Sequence, residues 1–210
     1  MKLYIIRHGQ SEANVEMVKT GDRGLTDLGR RQAEATAEWL RDTPIDLLYA
    51  SPTQRTVETA CIIASRLGLP PVLRSDICER GWLYDEPGLT GTELRELCSR
   101  VELGAEFDPH RGWAADRAEE SKHELYDRAQ AVVRSLRSDH PNGSGSIAVV
   151  THAYFSGYLM SVALGFTREQ VQSHWLRMSN CGISHLEFKD HATMLWYMNA
   201  DAHIGERVTA

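Results

Sequence analysis

No apolar run in this chain of 210 residues approaches the ~20 that a helix needs to cross a bilayer, so no membrane is expected among its partners. Positive charge is in the minority. Against 29 Asp and Glu stand 23 Lys and Arg, a net charge of −6, which argues against nucleic acid as a partner. Cysteine is sparse. Cys61, Cys78, Cys98 and Cys181 include no CxxC pair, and a chain this long can bury a sizeable core without staples. They are expected to be reduced thiols of a cytoplasmic protein. The same location is expected because the chain runs straight into Leu3-Tyr4-Ile5-Ile6, without the charged lead, apolar stretch and cleavage site of a secretory signal. Internal repeats and low-complexity tracts are absent. At 42% hydrophobic and 25% charged, the composition excludes collagen, disorder and coiled coil.

Several catalytic signatures are missing too. There is no GxxxxGK[ST] loop for a nucleotide triphosphatase of that type. No cysteine is followed six positions later by arginine, as a cysteine-based phosphatase needs. No Asp-x-Asp pair offers an aspartyl nucleophile with a metal, and no His-x-x-x-His or carboxylate cluster suggests a two-metal hydrolase. No metal or cofactor is expected.

What is present alternates. Leu3–Ile6 and Ile147–Val150 are short continuous apolar runs, as for strands buried on both faces, and Asp46–Tyr49 reads as another strand. Helices are expected from Thr26, with Ala33, Ala37 and Leu40 on one face, and from Ser51-Pro52, with Val57, Ala60, Cys61 and Ala64. Ser121 and Glu124 have capping-box spacing ahead of Leu125, Ala129, Val132 and Leu136. Phe155, Tyr158, Leu159 and Val162 mark a further helix, and Thr167 with Gln170 a second box. Residues 182–188 and 193–198 read as two strands joined at Lys189-Asp190. Alternation of this kind means a three-layer α/β/α sandwich on a mostly parallel, doubly wound sheet. The expectation is one domain, 1–210. Within it, 79–120, with a short helical pattern at Glu93–Val101, is an insertion over the carboxyl ends of the strands. The tryptophans are expected mostly in the core, with Trp82 and Trp113 available to wall a substrate.

Ligands of open α/β sheets sit beyond the carboxyl ends of the strands. After the first strand comes Arg7-His8-Gly9, after the second Ser51-Pro52-Thr53-Gln54-Arg55, and after Val149-Val150 comes Thr151-His152. In an acidic chain these segments focus arginine and histidine onto one rim. Guanidinium forks suit phosphate oxygens, helix N-termini behind the loops add N–H donors, and Gly9 allows close backbone approach. Such a rim asks for a phosphate group, and histidine is the nucleophile left at it.

Leu3–Asn14, LYIIRHGQSEAN, resembles the signature of the histidine phosphatase superfamily, the phosphoglycerate mutase-like proteins. Leu25-Thr26 with Gly29 and Gln32-Ala33, Ser51-Pro52 with Arg55 and Thr59-Ala60, Glu120-Ser121 with Arg128, Val150-Thr151-His152, and Asn180-Cys181 with Ile183-Ser184, Asn199 and His203 resemble later blocks of the same family, in order. The resemblance implies that His8 attacks phosphorus and that Arg7, Arg55 and His152 surround its oxygens. Glu79 would protonate the leaving oxygen and then activate water, with Asp85 or Glu86 as lesser candidates. Gln10, Asn14, Gly21 and Ala153 would bind substrate.

Two departures from the family pattern stand out. Ala153-Tyr154-Phe155 replaces the glycines usual after the second histidine, which narrows the pocket or makes it more apolar. The acid-to-glycine spacing after Glu79 is short. Glu119 and Glu120 read as a charge pair suited to a helix start. The remaining histidines read as surface or packing residues.

The function implied is hydrolysis of a small phosphorylated metabolite, by a monomer or homodimer. The rivals are a mutase sharing every catalytic residue and a non-catalytic phospho-ligand module. The insertion is short, with Arg95, Arg100, Arg111 and Arg117 nearly its only basic residues, and seven residues follow His203; both features favour hydrolysis.

Overall fold

The computed structural model describes residues 1–16, 21–80, 86–138 and 144–210. Its apolar runs form the middle of a six-stranded sheet in the order β3-β2-β4-β1-β5-β6. Strands β1 (Lys2–Arg7), β2 (Leu47–Ala50), β3 (Pro71–Leu73) and β4 (Ser146–Thr151) are parallel to one another, while β5 (Ile183–Phe188) pairs antiparallel with β1 and with β6 (Thr193–Ala200). Leu3, Ile5, Ile147 and Val149 pack on one face, and Ile6, Leu48, Ala148 and Val150 on the other, which is why these runs do not alternate in polarity.

The short helix α1 (Glu12–Glu16) precedes α2 (Asp27–Leu40), which Thr26 caps by accepting from the Gly29 amide. Helix α2 packs beside α3 (Gln54–Leu67) on the second face. On the first face lie α5 (Lys122–Ser138), with its Ser121–Glu124 capping box, and α6 (Ala153–Ala163). The short α4 (Gly91–Leu97) and α7 (Arg168–Ser173) carry further capping boxes. Residues 86–120 pack beside α3 and β3. There Leu94 is buried, Glu102 bridges to Val72, and Arg117 donates to the Ser75 carbonyl.

Several expectations are corrected. Cys61, on α3, and Cys98, just after α4, form a disulfide with Cα atoms 6.0 Å apart, so only Cys78 and Cys181 are free thiols. The pairing arises from α4 packing on α3, and it removes the cysteine argument for a reducing compartment. Helix α3 starts at Gln54 after Thr53 rather than at Ser51-Pro52, because the Ser51 amide and hydroxyl are both engaged across the sheet end. The insertion helix ends at Leu97, short of Val101. Trp39, Trp175 and Trp196 are exposed rather than core: on the outer side of α2, in a loop, and on the edge strand β6. Trp82 lies outside the described residues. Among those described, no helix is long and apolar enough to cross a membrane.

Candidate active site

Parallel register brings the site together. Arg7 sits opposite Thr151 and Ala50 opposite Val150, so β1, β4 and β2 end side by side. The His8 amide donates to the Thr151 carbonyl (2.9 Å) and the Ser51 amide to that of Val150 (3.1 Å). The next residue out on each strand is therefore fixed to its neighbour. Gly9 and Gly29 let this loop cross the start of α2 backbone to backbone: a Cβ on Gly29 would lie 1.9 Å from the Gln10 carbonyl oxygen. The close approach expected of Gly9 is thus to α2 itself.

Arg7, His8, Arg55 and His152 are buried together at this rim. The two imidazoles lie 5.3 Å apart, centroid to centroid, and Arg55 spans them. Its Nε donates to His8 Nε2 at 3.0 Å and its Nη2 to His152 Nδ1 at 2.8 Å. Because guanidinium has no acceptor, both ring nitrogens offer lone pairs. His8 therefore carries its proton on Nδ1, donated to its neighbour's carbonyl at Gly9 (2.7 Å), and His152 carries its own on Nε2, donated to Ser51 Oγ (2.8 Å). Burial, then Arg55 and other nearby positive groups, hold both imidazoles well below their usual range, so both are neutral.

Burial also draws Arg7 and Arg55 down to about 10, so both remain cations at neutral pH. Arg7 anchors through Nη1 on the Met178 carbonyl (2.7 Å), while its buried Nε has no partner among the described residues. Two desolvated guanidiniums with a spare donor form a site for an oxyanion. Ala153 opens α6, so its amide is one of that helix's unpaired N-terminal donors.

Glu79 sits against the first turn of α6. Its carboxylate accepts from the amides of Tyr154 (3.0 Å), Phe155 (2.9 Å) and Arg80 (3.0 Å). Burial raises its pKa, and those amides and Arg55 only partly offset the rise. The carboxyl is thereby suited to hold a proton beside the phosphate cradle. Glu86 is placed elsewhere, accepting from the Asp22 amide (3.3 Å), and Asp85 lies outside the described residues.

The other named residues divide. Asn14 Oδ1 is taken by the Ser11 amide and hydroxyl, while its nitrogen makes no hydrogen bond among the described residues. Gln10 turns away, its side chain accepting from Thr26 Oγ1 (2.8 Å). Gly21, at φ 90°, leads into Asp22. Phe155, expected to narrow the pocket, is instead fully buried in the core, and the Tyr154 ring packs on Tyr158 and Trp175.

Sequence reading gave no role in the site to three supports, although Thr59, Glu120 and Arg128 stand in the blocks that resemble the family. Asp22 lies 3.7 Å from Arg55 Nη1, accepts from the Gln54 amide, and is raised by burial to about 6. Thr59 Oγ1 accepts from the Gly9 amide and donates to the Arg55 carbonyl, tying the His8 loop to α3. Glu120, far from being only a helix-start charge, forks onto Arg128 with two 2.7 Å bonds. Arg128 in turn holds the carbonyls of Asp76 and Cys78 ahead of Glu79. The resemblance marked Thr59, Glu120 and Arg128 as positions without giving their contacts, and nothing in the sequence reading marked Asp22.

Comparison with known proteins agrees with this geometry. The profile of the histidine phosphatase superfamily (branch 1) matches residues 3–201. The chain is 31% identical to a probable phosphoglycerate mutase, GpmB, of Escherichia coli, over 90% of this chain and 86% of that one. Its fold is similar to Bacillus stearothermophilus YhfR (TM-score 0.72, 25% identity, 97% and 98% of the two chains). It is also similar to a mycobacterial glucosyl-3-phosphoglycerate phosphatase in complex with VO3 (TM-score 0.70, 26% identity, 95% and 99%). With the profile running nearly end to end over the segments that build this rim, the chain belongs to branch 1 of the histidine phosphatase superfamily.

Proposed function

We propose that the chain hydrolyses phosphomonoesters of small metabolites through a phosphohistidine on His8. The observation that carries this is the protonation pattern of His8: Nδ1–H is spent on Gly9, and the Nε2 lone pair faces the cationic cradle. Substrate phosphate takes over the donors of Arg55, joined by Arg7 and the Ala153 amide, and His8 Nε2 attacks phosphorus. The P–O bond to the leaving group breaks as Glu79 delivers its proton to that oxygen. Glu79, now ionised, takes a proton from water, whose oxygen attacks phosphorus. The N–P bond breaks, phosphate leaves and His8 is neutral again. The cationic cradle stabilises charge on the transferring group in both steps. The naming of a structural relative as a phosphatase of a phosphorylated sugar acid supports this substrate class.

A mutase uses the same groups but must also hold a second phosphate while excluding water. The basic residues of 86–120 point elsewhere: Arg100 to the Ala64 carbonyl, Arg111 to Asp116, Arg117 to the Ser75 carbonyl, and Arg95 to solvent. That disposition favours hydrolysis, whereas the name of the Escherichia coli relative favours the mutase.

The test is phosphate release from a generic aryl phosphate by wild type and His8→Ala. The variant is expected to be inactive and to lose an acid-labile phosphoryl label; persistent turnover would overturn the assignment. Incubation with 3-phosphoglycerate and a bisphosphate primer separates the readings, since the mutase yields the isomer and the hydrolase yields inorganic phosphate. Tight phosphate binding without turnover of any ester would instead mark a binding module.

A further inference from the structure

Beside the phosphate cradle lies an aromatic cleft that the reaction above leaves unused. Tyr154 and Tyr158, one turn apart on α6, stack with ring centroids 5.2 Å apart. Trp175, in the loop after α7, leans on Tyr154 at 4.6 Å yet stays 57% exposed. With Val171 and Lys122 these rings line a cleft of about 340 Å³. That is room for a ring-sized group, at the lower end of ordinary ligand sites.

Both walls of the cleft are rooted in the cradle. One wall begins at His152 and Ala153, and the Tyr154 amide itself holds Glu79. The other runs from Trp175 to Met178, whose carbonyl anchors Arg7, and the charge of Arg177 is felt at Arg7. The cleft therefore adjoins the first turn of α6, whose amides hold Glu79, the group that must reach the leaving oxygen to protonate it. An exposed indole held against a tyrosine is the kind of surface that covers itself with a planar apolar ligand.

We propose that this cleft is the leaving-group subsite, and that the preferred substrates are phosphate esters of ring-bearing alcohols. The proposal rests on the phosphatase reading of His8. Stacking on Trp175 and Tyr154 binds the ring, and Lys122 favours an acidic substituent on it.

The test compares 2-phenylethyl phosphate with ethyl phosphate, whose leaving oxygens are alike while only one carries a ring. Wild type is expected to favour the ring-bearing ester about tenfold in kcat/KM, as for burial of one ring. Trp175→Ala is expected to remove most of that ratio, and Trp175→Phe to keep it. The non-hydrolysable 2-phenylethylphosphonate should compete more tightly than ethylphosphonate with wild type but not with Trp175→Ala. Equal use of both esters by wild type, or a ratio unchanged in Trp175→Ala, overturns the subsite while leaving the His8 chemistry intact. Should neither ester be hydrolysed, the phosphonate pair still decides the cleft, and the aryl phosphate assay with His8→Ala separately decides the phosphatase reading.

Discussion

The Nε–H of Arg55 points at the Nε2 lone pair of His8 across 3.0 Å, while the same guanidinium reaches His152. One fork thus orients both imidazoles and is already in place for phosphate oxygens. Arg55→Ala is expected to lower kcat/KM about 10²–10³-fold, as for loss of a preorganised transition-state donor. Arg55→Lys keeps the charge but cannot serve two imidazoles at once, so it should remain at least about tenfold impaired. Wild-type kcat/KM in Arg55→Lys, measured on an aryl phosphate, would show that charge alone suffices.

Glu79 serves two steps in the proposed cycle, and leaving groups separate them. An alkoxide needs a proton to depart, whereas a p-nitrophenolate does not. Glu79→Gln should therefore lose about 10²–10⁴-fold on ethyl phosphate. On p-nitrophenyl phosphate, His8 should still be phosphorylated and then wait for water without its base. Rapid-quench kinetics should show a burst of p-nitrophenol followed by slow turnover. Equal losses on both esters without a burst would move the acid to another residue.

The fold was legible where burial writes itself into periodicity. Leu3–Ile6 and Ile147–Val150 are apolar throughout because helices cover both faces of those strands, and Thr26 and Ser121 act at the caps their spacing indicated. β3 escaped notice: it is three residues long and begins with Pro71. The histidines and arginines of the site were legible because each follows a strand or opens a helix. Asp22 was not, and the roles of Thr59 and the Glu120–Arg128 pair, seen only as parts of family blocks, were not either, because they act across contacts that only the packed helices create. The Cys61–Cys98 bridge is of the same kind.

The neutral imidazoles make a prediction about pH. His8 and His152 titrate well below 6.5 when folded and near 6.5 when unfolded. Activity that needs neutral His8 should therefore show no acid limb at pH 6.5 in kcat/KM. For stability the sign follows from proton counting. Below pH 6.5 the unfolded chain binds protons that the folded site refuses, so stability present above 6.5 is lost as pH falls. Asp22, raised to about 6, acts oppositely between its folded and unfolded values, as does Glu79. The histidine contribution is isolated by His152→Asn. Between pH 7 and 5 the fall in its unfolding free energy should be shallower than wild type by up to about 1.4 kcal/mol per pH unit. Parallel urea-denaturation profiles across that range would mean that His152 is protonated in the folded protein.

The disulfide makes the last prediction. Cys61 and Cys98 are 37 residues apart in sequence, and their bridge ties α4 to α3, the helix that carries Arg55. Closing a loop of that size removes unfolded-state entropy worth roughly 2–4 kcal/mol. In a chain of 210 residues that should lower Tm by roughly 5–15 °C on reduction. The Cys61→Ser/Cys98→Ser double variant should melt at the temperature of the reduced wild type and be insensitive to reductant. That control separates loss of the bridge from any effect of the reagent. Cys78 and Cys181 are buried thiols and supply no alternative pairing partner at the surface. Arg55 is fixed independently by Asp22, His8 and His152, so kcat/KM of the double variant at 25 °C should stay within about twofold of wild type while its stability falls. Identical melting with and without reductant, together with two free thiols more than Cys78 and Cys181 account for, would show that the two sulfurs meet without bonding.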